Sequence, residues 1–189
     1  MTDRTRSPQL YGVASRASVL GPDLAAIFDE HFDYVWRTLQ RLGVRDADLE
    51  DLSHEVFLKV NARLKDYDPK RPLRPWLFGF AHRVAADHRR LARHRVEVLG
   101  VAMEPTDPGR PADEGLQDDE ERALVIDALS RIDFDRRAVL LLHDAEDVAV
   151  PAIAEELGIP LNTAYSRLRK AREEFASAVK MLRRRRRAS

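Results

Sequence analysis

Residues 149–172, AVPAIAEELGIPLNTAYSRLRKAR, constrain the fold more than any other stretch of this chain. Ile153, Ala154 and Leu157 give a short helix one apolar stripe, and Gly158 supplies the permissive backbone that a tight helix-to-helix turn needs. Pro160, with its φ preset and no N–H to lose, suits the opening of a second helix. In that helix Ala164, Leu168, Ala171, Phe175 and Val179 recur at spacings of three and four, which predicts one buried face. Asn162, Thr163, Ser166, Arg167 and Lys170 fall on the opposite face, with Tyr165 and Arg169 flanking it. The pattern is a helix-turn-helix whose second helix is polar and cationic, a shape that fits the major groove of duplex DNA. A helical hairpin with a charged solvent face and no DNA role has the same local pattern, so the rest of the chain has to decide.

The net charge is zero, yet the charge is separated into blocks. Residues 69–95 hold eight Lys/Arg against a single acid, Asp87, and residues 158–189 hold ten against Glu173 and Glu174. Between them, residues 96–121 hold nine acids and only Arg110. Two cationic surfaces joined by an acidic connector suit a polyanion bound at two places. The absence of cysteine excludes a disulfide framework and any thiolate zinc site. No apolar run approaches the roughly 20 residues of a membrane span, and residues 1–22 lack the apolar core of a secretory signal and read as a flexible leader.

The periodicity predicts an all-α chain of two small helical domains. The first, residues 23–95, holds three helices. Leu24 to Leu42 directs Ile27, Phe28, His31, Tyr34, Val35, Thr38 and Leu42 inward, and Gly43 caps it. Asp46 to about Leu64 buries Leu49, Leu52, Val56, Val60 and Leu64 behind an acid-rich first turn. After the break at Asp66-Tyr67-Asp68-Pro69, Pro75 to about Arg93 buries Trp76, Leu77, Phe80, Ala81, Val84, Ala85 and Leu91. Residues 96–117, with three prolines, three glycines and many acids, read as a flexible linker. The second domain, residues 118–182, holds a helix through Leu124 and Leu129, another from Arg137 to Ala145, and the helix-turn-helix. Residues 183–189 read as a solvated basic tail that carries no sequence information.

Two outward faces of the first domain carry chemistry. Asp51, His54, Glu55 and Leu58 fall at i, i+3, i+4 and i+7, so they share one side of the second helix, with an apolar residue exposed beside acids. His82, Arg83, Ala86, Arg89, Arg90 and Arg93 lie largely opposite the buried stripe of the third helix, and Lys70, Arg71 and Arg74 precede it. Trp76 and Phe80 are able to stack on bases, although their spacing on the apolar stripe favours core packing.

Two separated segments together resemble the sigma-70 family of bacterial RNA polymerase sigma factors, in its small extracytoplasmic-function (ECF) group. DADLEDLSHEVFLKVNARLKDYDPKRPLRPWLFGFAHRVAADHRR, residues 46–90, is similar to region 2 of that family, and ALSRIDFDRRAVLLLHDAEDVAVPAIAEELGIPLNTAYSRLRKAR, residues 128–172, to region 4. The resemblance implies that Asp51, His54, Glu55 and Leu58 meet the β′ clamp helices of core RNA polymerase. It implies that Lys70, Arg71, Arg74, His82, Arg83, Arg89, Arg90 and Arg93 bind and open −10 promoter DNA. It places the −35 element against Asn162, Thr163, Tyr165, Ser166, Arg167 and Lys170. The second domain is expected near the β flap, and an anti-sigma factor as a further partner, in the bacterial cytoplasm. The chain departs from the family pattern at His54, where glutamine is frequent, at Asn61 (tryptophan), at Arg83 (asparagine) and at Tyr165 (lysine). The last two bear on promoter choice.

Other classes fit less of the chain. The histidines form no H-E-x-x-H pair, and there is no glycine-rich phosphate loop or nucleophile elbow, so neither catalysis, a metal nor a cofactor is expected. A stand-alone helix-turn-helix regulator explains the second domain but leaves residues 46–90 without a role. A sigma-like decoy that titrates an anti-sigma factor has no evident need of two intact cationic faces.

Overall fold

The computed structural model describes residues 23–99 and 116–188. Among the described residues there are seven α-helices and no strand: α1 Leu24–Leu42, α2 Asp46–Arg63, α3 Leu73–Leu99, α4 Leu116–Ser130, α5 Phe134–Leu140, α6 Val150–Leu157 and α7 Leu161–Ala188. A 3₁₀ turn, Leu64–Asp66, follows α2, and five π-helical residues, Leu141–Ala145, continue α5. The leader and residues 100–115 of the linker lie outside the described residues.

Local signals set most of the ends. The Asp23 carboxylate accepts from the Ala25 amide at 3.2 Å, and Gly43 closes α1 in the left-handed region at φ 92°. Asp133 accepts from the amides of Asp135 and Arg136, which starts α5 three residues before the predicted Arg137. Gly158 ends α6 at φ 63°, and the Pro160 carbonyl receives the Thr163 and Ala164 amides as α7 opens.

Two helices outrun their predicted bounds. Pro75 sits in the first turn of α3, where a missing N–H costs nothing, so the helix starts at Leu73. With no glycine or proline between Phe80 and Gly100, it continues to Leu99. α7 likewise meets no breaker, and Arg183–Arg187 extend it as helix, solvent-exposed as expected. Arg183 lies 3.4 Å from the Glu121 carboxylate, and Arg186 donates to the Glu120 carbonyl at 2.8 Å.

α1 packs on α2 and α3, and α5 and α6 pack on α7. The predicted stripes hold with local corrections. Leu39, Phe57 and Phe78 join the core, whereas Leu91 is exposed and Trp76 and Leu64 are half-buried. Phe175 and Val179 are half-buried, and the fully enclosed residues farther along α7 are Ala178 and Leu182, which meet Leu124 and Ala128 of α4. One hydrophobic cluster crosses both groups of helices, from Ile27 through Leu42 and Ala81 to Leu129, Ile153 and Ala171. The two bundles are therefore packed against each other.

Candidate functional site

The first turns of α7 present a polar, solvent-facing patch. Asn162, Tyr165, Ser166 and Lys170 are exposed, Tyr165 by 52%, and Thr163 is half-buried. Arg167 differs from expectation, because its guanidinium is held 2.8 Å from the Asp135 carboxylate of α5. Arg136 reaches Glu174 at 3.0 Å, and Arg172 donates to the Asp144 carboxylate at 3.0 Å. The Arg172 hydrogen bond keeps the Asp144 carboxyl below its ordinary range. Half-exposed pairs of this kind add little stability. Their effect here is geometric: three of them fix how α7 turns about its axis, and hence which side chains face outward.

The α2 face is open as well. Asp51, His54 and Leu58 are exposed, Leu58 by 71%, and Glu55 is half-buried and paired with Lys59 at 2.9 Å. The His54 ring lies 5.9 Å from Phe32 and 6.1 Å from Phe28, so the face joins acids to an aromatic and aliphatic patch.

The α3 surface is built from a tight loop and one helical face. Lys70 and Arg71 are exposed in the loop, where the Asp68 carboxylate receives the Lys70 amide and Tyr67 Oη donates to the Arg71 carbonyl at 2.6 Å. Arg74 stacks over Tyr34, whose hydroxyl donates to the Arg74 carbonyl. Burial pushes the Tyr34 phenol far above its ordinary value, so it stays a donor. Trp76 contacts Tyr67 and Phe80, with Phe80 in the core, so this aromatic pair serves packing. Arg83 lies over the Phe80 ring, Arg90 pairs with Asp87 at 3.2 Å, and Arg93 is exposed.

The second bundle approaches His82 and Arg89: His82 is half-buried against expectation, whereas Arg89 stays exposed as expected. The His82 ring stacks on Phe134 of α5 at 5.0 Å, and Arg89 lies 5.4 Å above the same ring. Burial lowers the His82 pKa, and its Nε2 is enclosed without a partner. Arg71 also meets the second bundle, 3.4 Å from Glu155 of α6.

Arg137 was missed by sequence reasoning. It is only 5% exposed, and its guanidinium donates to the Leu42 carbonyl at the end of α1 and to the Ser130 and Ile132 carbonyls after α4, at 2.7, 2.9 and 2.9 Å. One buried side chain thus joins the last carbonyls of two bundles. Burial pushes its pKa down to about 10. The only sequence signal is an arginine at the edge of the apolar run AVLLL.

No group of three or more potential metal ligands gathers among the described residues, and no described helix is long and apolar enough to cross a membrane.

Comparison with known proteins matches both halves. Residues 27–95 fit the family model of Sigma-70 region 2, and residues 122–175 that of Sigma-70, region 4. The ECF RNA polymerase sigma factor SigL of Mycobacterium tuberculosis is 31% identical over 157 residues, covering 82% of this chain and 88% of the relative. RNA polymerase sigma factor NccH of Alcaligenes xylosoxydans xylosoxydans is 24% identical over 189 residues, covering 95% and 97%. In fold, the chain is similar to the sigma factor RpoE of Bartonella quintana, solved in complex with the anti-sigma factor NepR. That match has a TM-score of 0.68 at 19% identity and covers 84% and 97% of the two chains. CnrH, solved with the cytosolic domain of CnrY, gives 0.56 at 20% identity over 84% and 88%. The region 2 match supplies what a free-standing regulator left unexplained. The chain belongs to the ECF group of sigma-70 family RNA polymerase sigma factors.

Proposed function

We propose that this sigma factor docks on core RNA polymerase through Asp51, His54, Glu55 and Leu58 of α2, against the β′ clamp helices, and through its second domain near the β flap. The first domain, residues 23–95, captures and opens −10 DNA with Lys70, Arg71, Arg74, His82, Arg83, Arg89, Arg90 and Arg93. Melting costs base pairing and stacking, and a cationic surface that holds the separated strand offsets that cost. The second domain, residues 118–182, reads −35 duplex DNA. Asn162, Tyr165, Ser166 and Lys170 face outward for base edges and phosphates, with Thr163 beside them. Arg167, tied to Asp135, orders this face and contacts the phosphate backbone at its margin. The linker, residues 96–117, spans the two sites through the enzyme towards the RNA exit path. The polymerase does the chemistry and this chain chooses the start. It acts in the bacterial cytoplasm, restrained by an anti-sigma factor, a reading supported by the solved complex of RpoE with the anti-sigma factor NepR.

The observation that supports this most is the pairing, in one chain, of an exposed polymerase-type face on α2 with a solvent-facing cationic patch on α7. Run-off transcription with core polymerase and a genomic fragment library tests it. The native chain gives discrete starts preceded by shared −35 and −10 sequences. Lys170→Glu lowers output from those promoters by roughly tenfold, the scale of one base or phosphate contact, while binding of core polymerase is unchanged. Starts that do not move from those of core enzyme alone refute it.

A further inference from the structure

α7 runs on well beyond its reading face. The region 4 match ends at residue 175, whereas the helix continues to Ala188, with Lys180 and Arg183–Arg187 all in its last nine residues. This far end is anchored. Ala178 and Leu182 are enclosed against Leu124 and Ala128 of α4, and Arg183 and Arg186 turn to the Glu121 carboxylate and the Glu120 carbonyl of that helix. α4 thereby fixes which way the last turns of α7 face.

Lys180, Arg184 and Arg187 follow at i, i+4 and i+7, so they form one row, and all three are exposed. Arg184 stands about five whole turns beyond Ser166, about 27 Å along the axis, so the row lies on the same side of α7 as the reading face. The two acids between these patches are engaged: Glu173 with Arg169 at 2.8 Å, and Glu174 with Arg136 at 3.0 Å. Among the described residues no acid pairs with Lys180, Arg184 or Arg187. The helix dipole rewards cations only in the last turn, and Lys180 and Arg184 precede it. Like charges four apart, as at Lys180 and Arg184, repel in the free chain. A polyanion relieves that repulsion.

We propose that Lys180, Arg184 and Arg187 form a second DNA contact, which grips the phosphate backbone of the duplex flanking the −35 element while the first turns of the same helix read its bases. This site rests on the −35 assignment above and lies up to about eight base pairs from the bases read. The major groove is only about 12 Å wide, so a straight rod with its first turns in the groove carries the row past the groove's edge. Backbone oxygens, not base edges, are at hand there. Guanidinium groups suit them through paired hydrogen bonds. Because the row is already helical and anchored on α4, binding orders little chain. Met181 is the one large apolar side chain exposed among residues 180–188 that are described, which favours phosphate over a protein partner.

The full-length protein is titrated with two labelled duplexes, one bearing the −35 sequence with ten base pairs on either side and one trimmed to that sequence. On the long duplex, Lys180→Gln/Arg184→Gln/Arg187→Gln weakens binding at low salt by at least about tenfold. It also makes the fall of log K with log salt shallower by about two to three, the release expected from three phosphate contacts. On the trimmed duplex variant and native chain bind alike, and preference for the −35 sequence over a scrambled one is unchanged. Arg37→Gln/Arg63→Gln/Lys65→Gln, three exposed cations of the first domain, alters neither affinity nor slope. An unchanged slope in the α7 variant overturns the second contact, and so does an equal loss on both duplexes. Weaker binding of core polymerase with an unchanged slope would make the row a protein contact instead, and also overturns it. If the native chain does not prefer the −35 duplex to a scrambled one, the −35 reading falls and this site with it. If that preference is present while the slope stays fixed, only the second contact fails.

Discussion

α3 and α7 are cationic helices of nearly equal length, 27 and 28 residues, and the molecule treats them oppositely. α7 packs on α4, α5 and α6 and turns its polar side to water. α3 is packed by α1 and α2 on one side and met by α6 on another, and the second bundle covers part of its cationic surface. Under the proposed division of labour the difference has a physical logic. A duplex-reading face discriminates by the pattern of base edges, and phosphate attraction alone binds it weakly. A strand-capturing face relies on charge and stacking, which every single strand offers, so it is the less selective of the two when left open. Covering the promiscuous surface and exposing the selective one favours engagement at the right DNA.

Two glycines offer the strongest way to break this comparison. Gly43 and Gly158 both end helices in the left-handed region, at φ 92° and 63°. A Cβ at Gly158 meets nothing within 4 Å, so Gly158→Ala carries only the backbone penalty, about 1–2 kcal/mol. A Cβ at Gly43 would lie 2.5 Å from Arg137 Nη1, so Gly43→Ala also drives the buried guanidinium off the Leu42 carbonyl. Leaving buried polar groups unpaired adds about 1–3 kcal/mol. Urea melts should place Gly43→Ala roughly 3 kcal/mol below the native protein and clearly below Gly158→Ala. Equal losses would mean that Arg137 does not join the bundles.

The next effect concerns the open side of the first bundle. Leu58 is 71% exposed, so Leu58→Glu should leave stability within about 0.5 kcal/mol of native. If the α2 face docks on core polymerase, the same change buries an unpaired charge in that contact and weakens holoenzyme formation by about 2 kcal/mol, roughly thirtyfold. A pull-down with core enzyme reads the loss, and the melt reads the intact fold. Weakened binding together with a large drop in stability would instead make Leu58 a structural residue.

What could be read from the sequence follows the range of the interactions. The ends of α1 and α6 were legible because an aspartate or a glycine acts within a few residues of itself. The outward polar side of α7 was legible because helical periodicity separates its buried and solvent sides. That same periodicity placed Arg89 correctly in solvent but misjudged His82, which is half-buried, and for an instructive reason. Spacing reports which side of a helix faces its own bundle. Nothing local reveals that Phe134, some fifty residues on, stacks on His82. Arg137 was invisible on the same grounds, since its partner at Leu42 is 95 residues away and an arginine beside AVLLL looks like an ordinary polar flank. Glu156 is half-buried beside Gly79 of α3, a placement nothing within its own short helix indicates.

The smallest effect tests the covered helix through its histidine. His82 faces Phe134 and Asp135 of α5, Arg167 of α7, and Arg83 on its own helix, and burial dominates, lowering its pKa below 6.5. An unfolded chain therefore takes up a proton near pH 6.5 that the folded, closed chain refuses until the pH is lower. Stability contributed by neutral His82 is complete above 6.5 and is lost as the pH falls from there towards the depressed value. Glu146 and Glu156 work in the opposite sense. Their carboxyls are raised from 4.5 by burial, so the folded state gains relative to the unfolded one as they protonate, and they offset the lower part of that slope. Asp144, lowered from 3.8 by Arg172, adds a loss only in stronger acid. Thermal melts between about pH 7.5 and pH 5.5 should show native stability declining, and His82→Gln should flatten that limb. A dye pair on cysteines introduced at the exposed positions Asn61 and Ser177, in a chain with no cysteine of its own, reads the distance between the bundles by energy transfer and sharpens the result. If acid lowers energy transfer in the native chain but not in His82→Gln, the proton is taken up at the contact between α3 and α5, and the cover over the strand-capturing surface is what it loosens. If the melts flatten while transfer stays constant at every pH, His82 stabilises its own bundle and the asymmetry between the two cationic helices owes nothing to it.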